Sequence, residues 1–367
     1  MPFHRCAPYR PAPHAPATDH SHAVTASDGK KHFTVDIHCH MLVPAAVELA
    51  KTVPGAQGST PPDSNPLTLE INRKQDADVR AALTGTEERL ASMDADGIDM
   101  QAISPSPGHY NYHLPAELVR DTSRIVNDHI AEIVAGNPER FVGMGTLPLQ
   151  NCEMAVAELE RCVRELDLRG VEISTNVDGK DLTRAGLEPF FAKAEELDVL
   201  IFIHPRGTTL TERMPEHYFR NTIGHPLESA LAVGHLIFDG YLEKMPGLKI
   251  CVAHGGGYIP AYSGRFDHPW ERRDDCRVNI PKPPSEYLKK MYFDTVVFTE
   301  HQLRYLIETW GADHVMLGTD FPFDMAQPDP VGHINSVAGI SDEQAALVMG
   351  GNAAKLLKIE RQGDRPA

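Results

Sequence analysis

Cysteine and net positive charge are both scarce in this 367-residue chain, and each shortage excludes something. The six cysteines (Cys6, Cys39, Cys152, Cys162, Cys251, Cys276) form no CxxC pair and no dense framework. They read as reduced thiols of a cytoplasmic protein rather than a disulfide scaffold. Lys plus Arg number 35 against 51 Asp plus Glu, a net charge of −16. That balance argues against a nucleic-acid binder, whose affinity comes from basic side chains. No apolar run approaches the roughly 20 residues that cross a bilayer, so no membrane partner is expected. The first residues carry basic groups without an apolar h-region, which argues against a secretory signal. No Gly-rich dinucleotide fingerprint follows the first strand-like run. What the chain has in surplus is histidine, 19 residues, the commonest metal ligand and the side chain that titrates near neutrality.

Five of these histidines (His4, His14, His20, His22, His32) lie in residues 1–32, where Pro and Ala dominate. That composition cannot build a core, so the segment reads as a flexible extension. From residue 33 short β-branched runs alternate with amphipathic stretches. The runs are 33–38, 99–104, 141–147, 170–175, 199–204, 248–254, 291–296 and 315–320. Apolar residues recur every three or four positions between them, as in CEMAVAELERCVREL and LEPFFAKAEELD, which is the helical period. Strands alternating with helices imply a parallel sheet covered on both faces. Eight such units predict an α/β fold, a (β/α)8 TIM barrel over 33–358. It carries a loop insertion after the first strand (45–83), a second long connection at 205–224, C-terminal closing helices and a tail at 359–367. An open doubly wound sheet is the alternative. His109, His113, His129 and His301 read as loop or helix-surface residues.

In such a barrel the carboxyl ends of the strands converge on one face. The first strand ends DIHCH, placing His38 and His40 two apart and on one side of the strand. The fifth ends at His204-Pro205, the sixth at His254 before three glycines, the eighth at Gly318-Thr319-Asp320. Alone, an HxH pair is as readily two core histidines as two ligands. Together, imidazoles and a carboxylate at strand ends suit a catalytic divalent ion better than a closed structural zinc site. His254 could ligate, or could move a proton if its pKa lies near the working pH. Glu172, in the fourth strand, is a carboxylate with no assigned role that would face the interior.

VDIHCH, IFIHP, HPLESALAVGHLIFDGYLEKMPGLKICVAHGGG, GRFDHPWERR and VMLGTDFPF resemble the amidohydrolase superfamily. Within it they are most similar to the branch of aminocarboxymuconate-semialdehyde decarboxylase and related aromatic-acid decarboxylases, across residues 33–358. The resemblance implies one divalent metal, zinc first and manganese as the alternative, held by His38, His40, His204 and Asp320. It implies His254 as the acid–base histidine and no organic cofactor. Arg265 and Arg273 match arginines that hold substrate carboxylates, one of them supplied in the family by a neighbouring subunit, so a homodimer or higher homo-oligomer is implied. Arg73 matches a third, from the loop insertion. The fourth strand lacks the carboxylated lysine of binuclear relatives, which favours a single ion. The chain keeps HxH where resorcylate-type and carboxyvanillate-type enzymes usually begin with glutamate. Arg206 follows His204-Pro205 where the aminocarboxymuconate enzyme has tryptophan; with Arg220 in the same loop, it points to a more anionic substrate.

The expectation is therefore a metal-dependent, non-oxidative decarboxylase of a small unsaturated or aromatic carboxylic acid, with metal-bound water and His254 handling the proton and Asp320 taking part in catalysis. The alternative keeps the site and changes the reaction, to hydrolysis of a C–C, amide or lactone bond or to hydration of a conjugated acid.

Overall fold

The computed structural model describes residues 32–53 and 65–360. The N-terminal extension up to residue 31, the stretch 54–64 and the tail beyond 360 lie outside the described residues. Eight parallel strands follow one another around a ring: β1 (Val35–Met41), β2 (Met100–Pro105), β3 (Phe141–Gly145), β4 (Gly170–Ile173), β5 (Leu200–Ile203), β6 (Lys249–Val252), β7 (Tyr292–Asp294) and β8 (Val315–Met316). Each pairs with its neighbour in sequence. The ring closes where the Ile37 amide donates to the Leu317 carbonyl (2.9 Å) and the His40 amide to that of Phe321 (2.9 Å). The barrel expected from the alternation is thus the fold.

Nearly every strand residue is buried, as expected of a parallel sheet covered on both faces. The outer layer forms because the intervening segments carry one apolar face. In Ala116–Gly136 the buried residues Val119, Thr122, Ser123, Val126, Asn127 and Ile130 fall on one helical stripe. Cys152–Arg164 starts where the Asn151 side chain accepts a hydrogen bond from the Met154 amide. A second cluster joins Val35, Ile37, Leu200, Phe202 and Met316 to Ala353, Leu356 and Leu357 of the C-terminal closing segment.

Two departures from the expected elements matter for the site. β8 stops at Met316 rather than reaching 320, and Asp320 itself takes a left-handed backbone (φ +64°) outside the strand region. The insertion after β1 is largely helical where described, with helices Pro66–Asp78 and Arg80–Thr84. It meets the 205–224 connection where the Asn65 amide donates to the Pro215 carbonyl (3.1 Å). Both long connections therefore gather at the carboxyl ends of the strands. Among the described residues no helix is long and apolar enough to cross a membrane.

Candidate metal centre

His38 and His40 leave β1 on the same side. The Nε2 atoms of the two rings lie 3.2 Å apart. Asp320 Oδ1 stands 3.3 Å from His38 Nε2 and 3.2 Å from His40 Nε2, while its Oδ2 is 3.7 Å from His254 Nε2. Ligand atoms of His38, His204, His254 and Asp320 all fall within 4.8 Å of one another. The ring centres of His204 are 4.9 Å from His38, 4.8 Å from His40 and 5.0 Å from His254. The four expected ligands and the expected acid–base histidine are thus one cluster, and distance alone does not rank His40 above His254 as a ligand.

The donor set fits a divalent cation. His204 is buried, and neither ring nitrogen has a hydrogen-bond partner. An imidazole so placed is costly unless an ion takes a lone pair. Burial, with His40, His38 and His254 around it, pushes its pKa well below the ordinary value, so it stands neutral, as a ligand must. For Asp320 burial works in the opposite sense, but His38, His254 and His40 outweigh it and hold the carboxyl well below the usual range. His38, in contrast to His204, is raised well above its ordinary value, because Asp320 and Asp294 overcome its burial.

Asp294, at the end of β7, is the residue that sequence reasoning missed. Its carboxylate takes His38 Nδ1 at 2.6 Å and the backbone amides of His254 (2.9 Å), Gly255 (2.8 Å) and Val296 (3.1 Å). One carboxylate thereby fixes the tautomer of a ligand and the position of the acid–base histidine. Gly318 makes room for this: a Cβ there would sit 2.9 Å from that of His38 and 3.0 Å from that of Asp294. Gly255 holds φ +61°, with Val297 only 2.4 Å from where its Cβ would be, so the turn after β6 requires glycine.

Glu172 does face inward. It is fully buried and accepts from Tyr110 Oη (2.5 Å) and Ser104 Oγ (2.6 Å), with His40 Nδ1 at 3.8 Å. Burial raises its pKa against the pull of His40 and these two hydroxyls. His109, expected at the surface, is buried; its Nε2 accepts from the Val43 amide (2.9 Å), and burial together with Arg206 depresses its pKa to about 4. His225, given no role from sequence, lines the cavity beside His254 and is depressed to about 3 by burial and that neighbour.

Over the cluster lies a cavity of about 220 Å3 lined by His204, Arg206, Tyr218, His225, Asp320 and Phe323 among others. Of the four candidate arginines, only Arg206 lines it. Arg73 is exposed on Pro66–Asp78, whose contribution to the wall is Gln75. Arg265 is exposed on Ile259–Arg272 and borders a separate groove of about 620 Å3 with Tyr258, Tyr262 and Phe266. Arg273 is 63% exposed and pairs with Asp275 of its own chain at 2.7 Å. Within one chain, then, these three do not line the metal cavity: the helices that carry Arg73 and Arg265 turn them outward, and Arg273, just past the end of Ile259–Arg272, is engaged by Asp275.

Comparison with known proteins places this geometry. The family model described as amidohydrolase matches residues 35–359. The 2-amino-3-carboxymuconate-6-semialdehyde decarboxylase of Dictyostelium discoideum is 37% identical over 273 residues, 74% of this chain and 76% of that one. Among solved structures, 5-carboxyvanillate decarboxylase from Sphingomonas paucimobilis superposes with a TM-score of 0.78 at 28% identity, covering 90% of this chain and all of that one. A dihydroxybenzoic acid decarboxylase from Polaromonas sp. JS666, solved with manganese and 2-nitroresorcinol, gives 0.76 at 25% identity, covering 90% and 98%. The chain belongs to the amidohydrolase family, in its aminocarboxymuconate-semialdehyde decarboxylase-like branch.

Proposed function

We propose that this protein is a metal-dependent, non-oxidative decarboxylase of a small unsaturated or aromatic carboxylic acid. The observation that carries the reading is the buried, hydrogen-bond-orphaned His204 beside His38, His40 and Asp320 at the floor of a cavity whose wall holds Arg206. His38, His40, His204 and Asp320 would hold one divalent ion, zinc in the first instance; manganese is the alternative, supported by the Polaromonas enzyme. When bound, that ion supplies Lewis acidity toward substrate oxygens and lowers the pKa of coordinated water.

The protein must do the rest. Loss of CO2 leaves an electron pair on carbon, and a proton has to be delivered there. His254, its side chain 15% exposed, stands 3.7 Å from Asp320, which lines the cavity, so these two residues manage that proton. Arg206 holds a carboxylate by planar, charge-assisted hydrogen bonds. Arg73, Arg265 and Arg273 serve substrate carboxylates only across a subunit boundary, in a homodimer or higher homo-oligomer. Their outward exposure supports that arrangement. The protein acts in the cytoplasm, its thiols reduced.

The test is incubation of the metal-loaded protein with unsaturated and aromatic acids, following CO2 release and the ultraviolet spectrum. CO2 with one protonated product is expected; two fragments or addition of water would replace this reading with a hydrolase or hydratase on the same site. His254→Ala should abolish turnover while metal content holds. Loss of metal in that variant would make His254 a ligand.

A further inference from the structure

Arg206 rides on a loop that the next helix fastens at three successive residues. His225 and Glu228 stand about one turn apart at the start of the helix His225–Phe238 and face the same way, as residues three apart do. Between them they take the residues that follow Arg206. The Gly207 amide donates to His225 Nε2 at 3.1 Å. Glu228 Oε1 accepts from Thr208 Oγ1 (3.0 Å), the Thr209 amide (2.9 Å) and Thr209 Oγ1 (3.1 Å), while its Oε2 accepts from Asn176 Nδ2 (3.0 Å). On the other side of Arg206 the chain is tied to the barrel, where the His204 amide donates to the Ile173 carbonyl (2.9 Å).

The bond to His225 is the fastening nearest Arg206 on the loop side. Gly207 turns the chain there with a left-handed backbone (φ +65°), so this peptide sets the direction in which Arg206 leaves the loop. A ring nitrogen that receives an N–H carries no proton, so His225 keeps its proton on Nδ1, where the Asn221 side-chain amide stands at 3.4 Å. The face of the same ring lies over His254, with centres 5.8 Å apart and planes inclined by 29°. Arg206, Asn221 and His225 all border the metal cavity.

We propose that His225 is a positioning residue: by accepting the Gly207 amide it aims Arg206 at the metal cavity before any substrate arrives. It acts on a bound carboxylate through Arg206. A long, flexible cation that is already aimed loses less freedom when it pairs with an anion, and the difference appears as affinity. The inference rests on the reading of Arg206 as the holder of a substrate carboxylate.

An acceptor and a packing surface are the two uses open to this ring, and they rank two variants in opposite order. His225→Gln keeps an acceptor for Gly207 and loses the ring. His225→Phe keeps a ring against His254 and loses the acceptor. Metal-loaded full-length protein is titrated calorimetrically with benzoate, an unreactive carboxylate, after metal analysis and circular dichroism have shown each variant to be loaded and folded. Arg206→Met should weaken benzoate binding about tenfold, as loss of a charge-assisted contact would. His225→Phe should weaken it about fivefold and His225→Gln less than about twofold. Should the Phe variant lose its metal, His225→Leu takes its place as the acceptor-free variant. In the Arg206→Met background, removing the acceptor should have no further effect, because its influence passes through the guanidinium. The proposal fails if the Gln variant binds benzoate no better than the acceptor-free one, which would make the ring a packing surface for His254. It fails too if the loss persists in the Arg206→Met background. An unchanged affinity in Arg206→Met alone is a different failure: it removes Arg206 from the anion site, and the underlying reading falls first.

Discussion

The two ends of the barrel are built from the same strands by opposite means. At one end Val35, Ile37, Leu200 and Met316 pack on Ala353, Leu356 and Leu357, and what holds them is apolar area and volume. At the other, His38, His204, His254, Asp294 and Asp320 crowd titratable groups into nearly dry space. What holds them there is direction. Between the two runs a buried polar belt: Asp36 accepts from Thr319 Oγ1 (2.7 Å), Gln101 Nε2 (3.0 Å) and the His38 amide (3.0 Å), and Arg89 donates to Gln101 (3.0 Å) and to the carbonyl of His40. One end can thus lose volume and still hold metal. The other can keep its volume and lose function.

Substitutions should separate the ends in that way. The largest effect belongs to the ligands: His38→Ala or Asp320→Ala should reduce bound metal from about one equivalent to background and abolish turnover, measured by metal analysis beside circular dichroism. Retained metal and activity in either would dismantle the site. Leu356→Ala at the apolar end should cost about 2–5 kcal/mol of stability in denaturant unfolding. Metal content and kcat per folded molecule should hold; a fall in kcat would mean that the ends are coupled. Asp294→Asn is isosteric and leaves the core filled, yet it weakens the acceptor that orients His38. Metal affinity should fall about 10- to 100-fold in chelator competition while the unfolding midpoint moves little. An unchanged affinity would reduce Asp294 to a backbone anchor for the Gly255 turn.

The apolar end and the ligands were legible in the sequence for different reasons. Continuous β-branched runs announce buried parallel strands, and histidines closing three of them announce a site once the barrel brings strand ends together. Asp294 was not legible. An aspartate after YF at a strand end looks like any other, and its partner His38 is 256 positions away. His109 sits in PSPGHYNYH, a stretch rich in turn formers, and nothing local says that the turn folds inward over Val43 and Arg206. The helix Pro66–Asp78 was hidden for the opposite reason: it buries no residue, so it has no apolar stripe to read. Arg265 and Arg273 came from resemblance alone. Whether an exposed arginine serves a neighbouring molecule is not written in the periodicity of its own helix.

The smallest effect expected is a pH dependence that marks the polar end only. His109 is neutral in the native protein down to about pH 4, whereas an ordinary histidine takes its proton near 6.5. Between those values the unfolded chain binds a proton that the folded one refuses, so stability is full above pH 6.5 and is lost as pH falls toward 4. The slope is about 1.4 kcal/mol per pH unit, so a drop from pH 7 to 5.5 should cost on the order of 1 kcal/mol. Asp36 works the other way. Burial raises its pKa from 3.8 to about 6, and below that value the native state holds a proton that the unfolded chain releases, which stabilises the fold on acidification. The raw pH profile of the native protein therefore mixes opposed contributions, with His225 acting in the same sense as His109 and Glu172 in the same sense as Asp36, and only a difference between variants isolates one. In urea unfolding at saturating metal, His109→Gln, whose amide oxygen can still accept from Val43, should lose this part of the acid slope. Leu356→Ala should shift the whole profile down without changing its slope. If His109→Gln keeps the native slope, the acid sensitivity resides in other groups, and the division between a directed end and a packed end loses its thermodynamic signature.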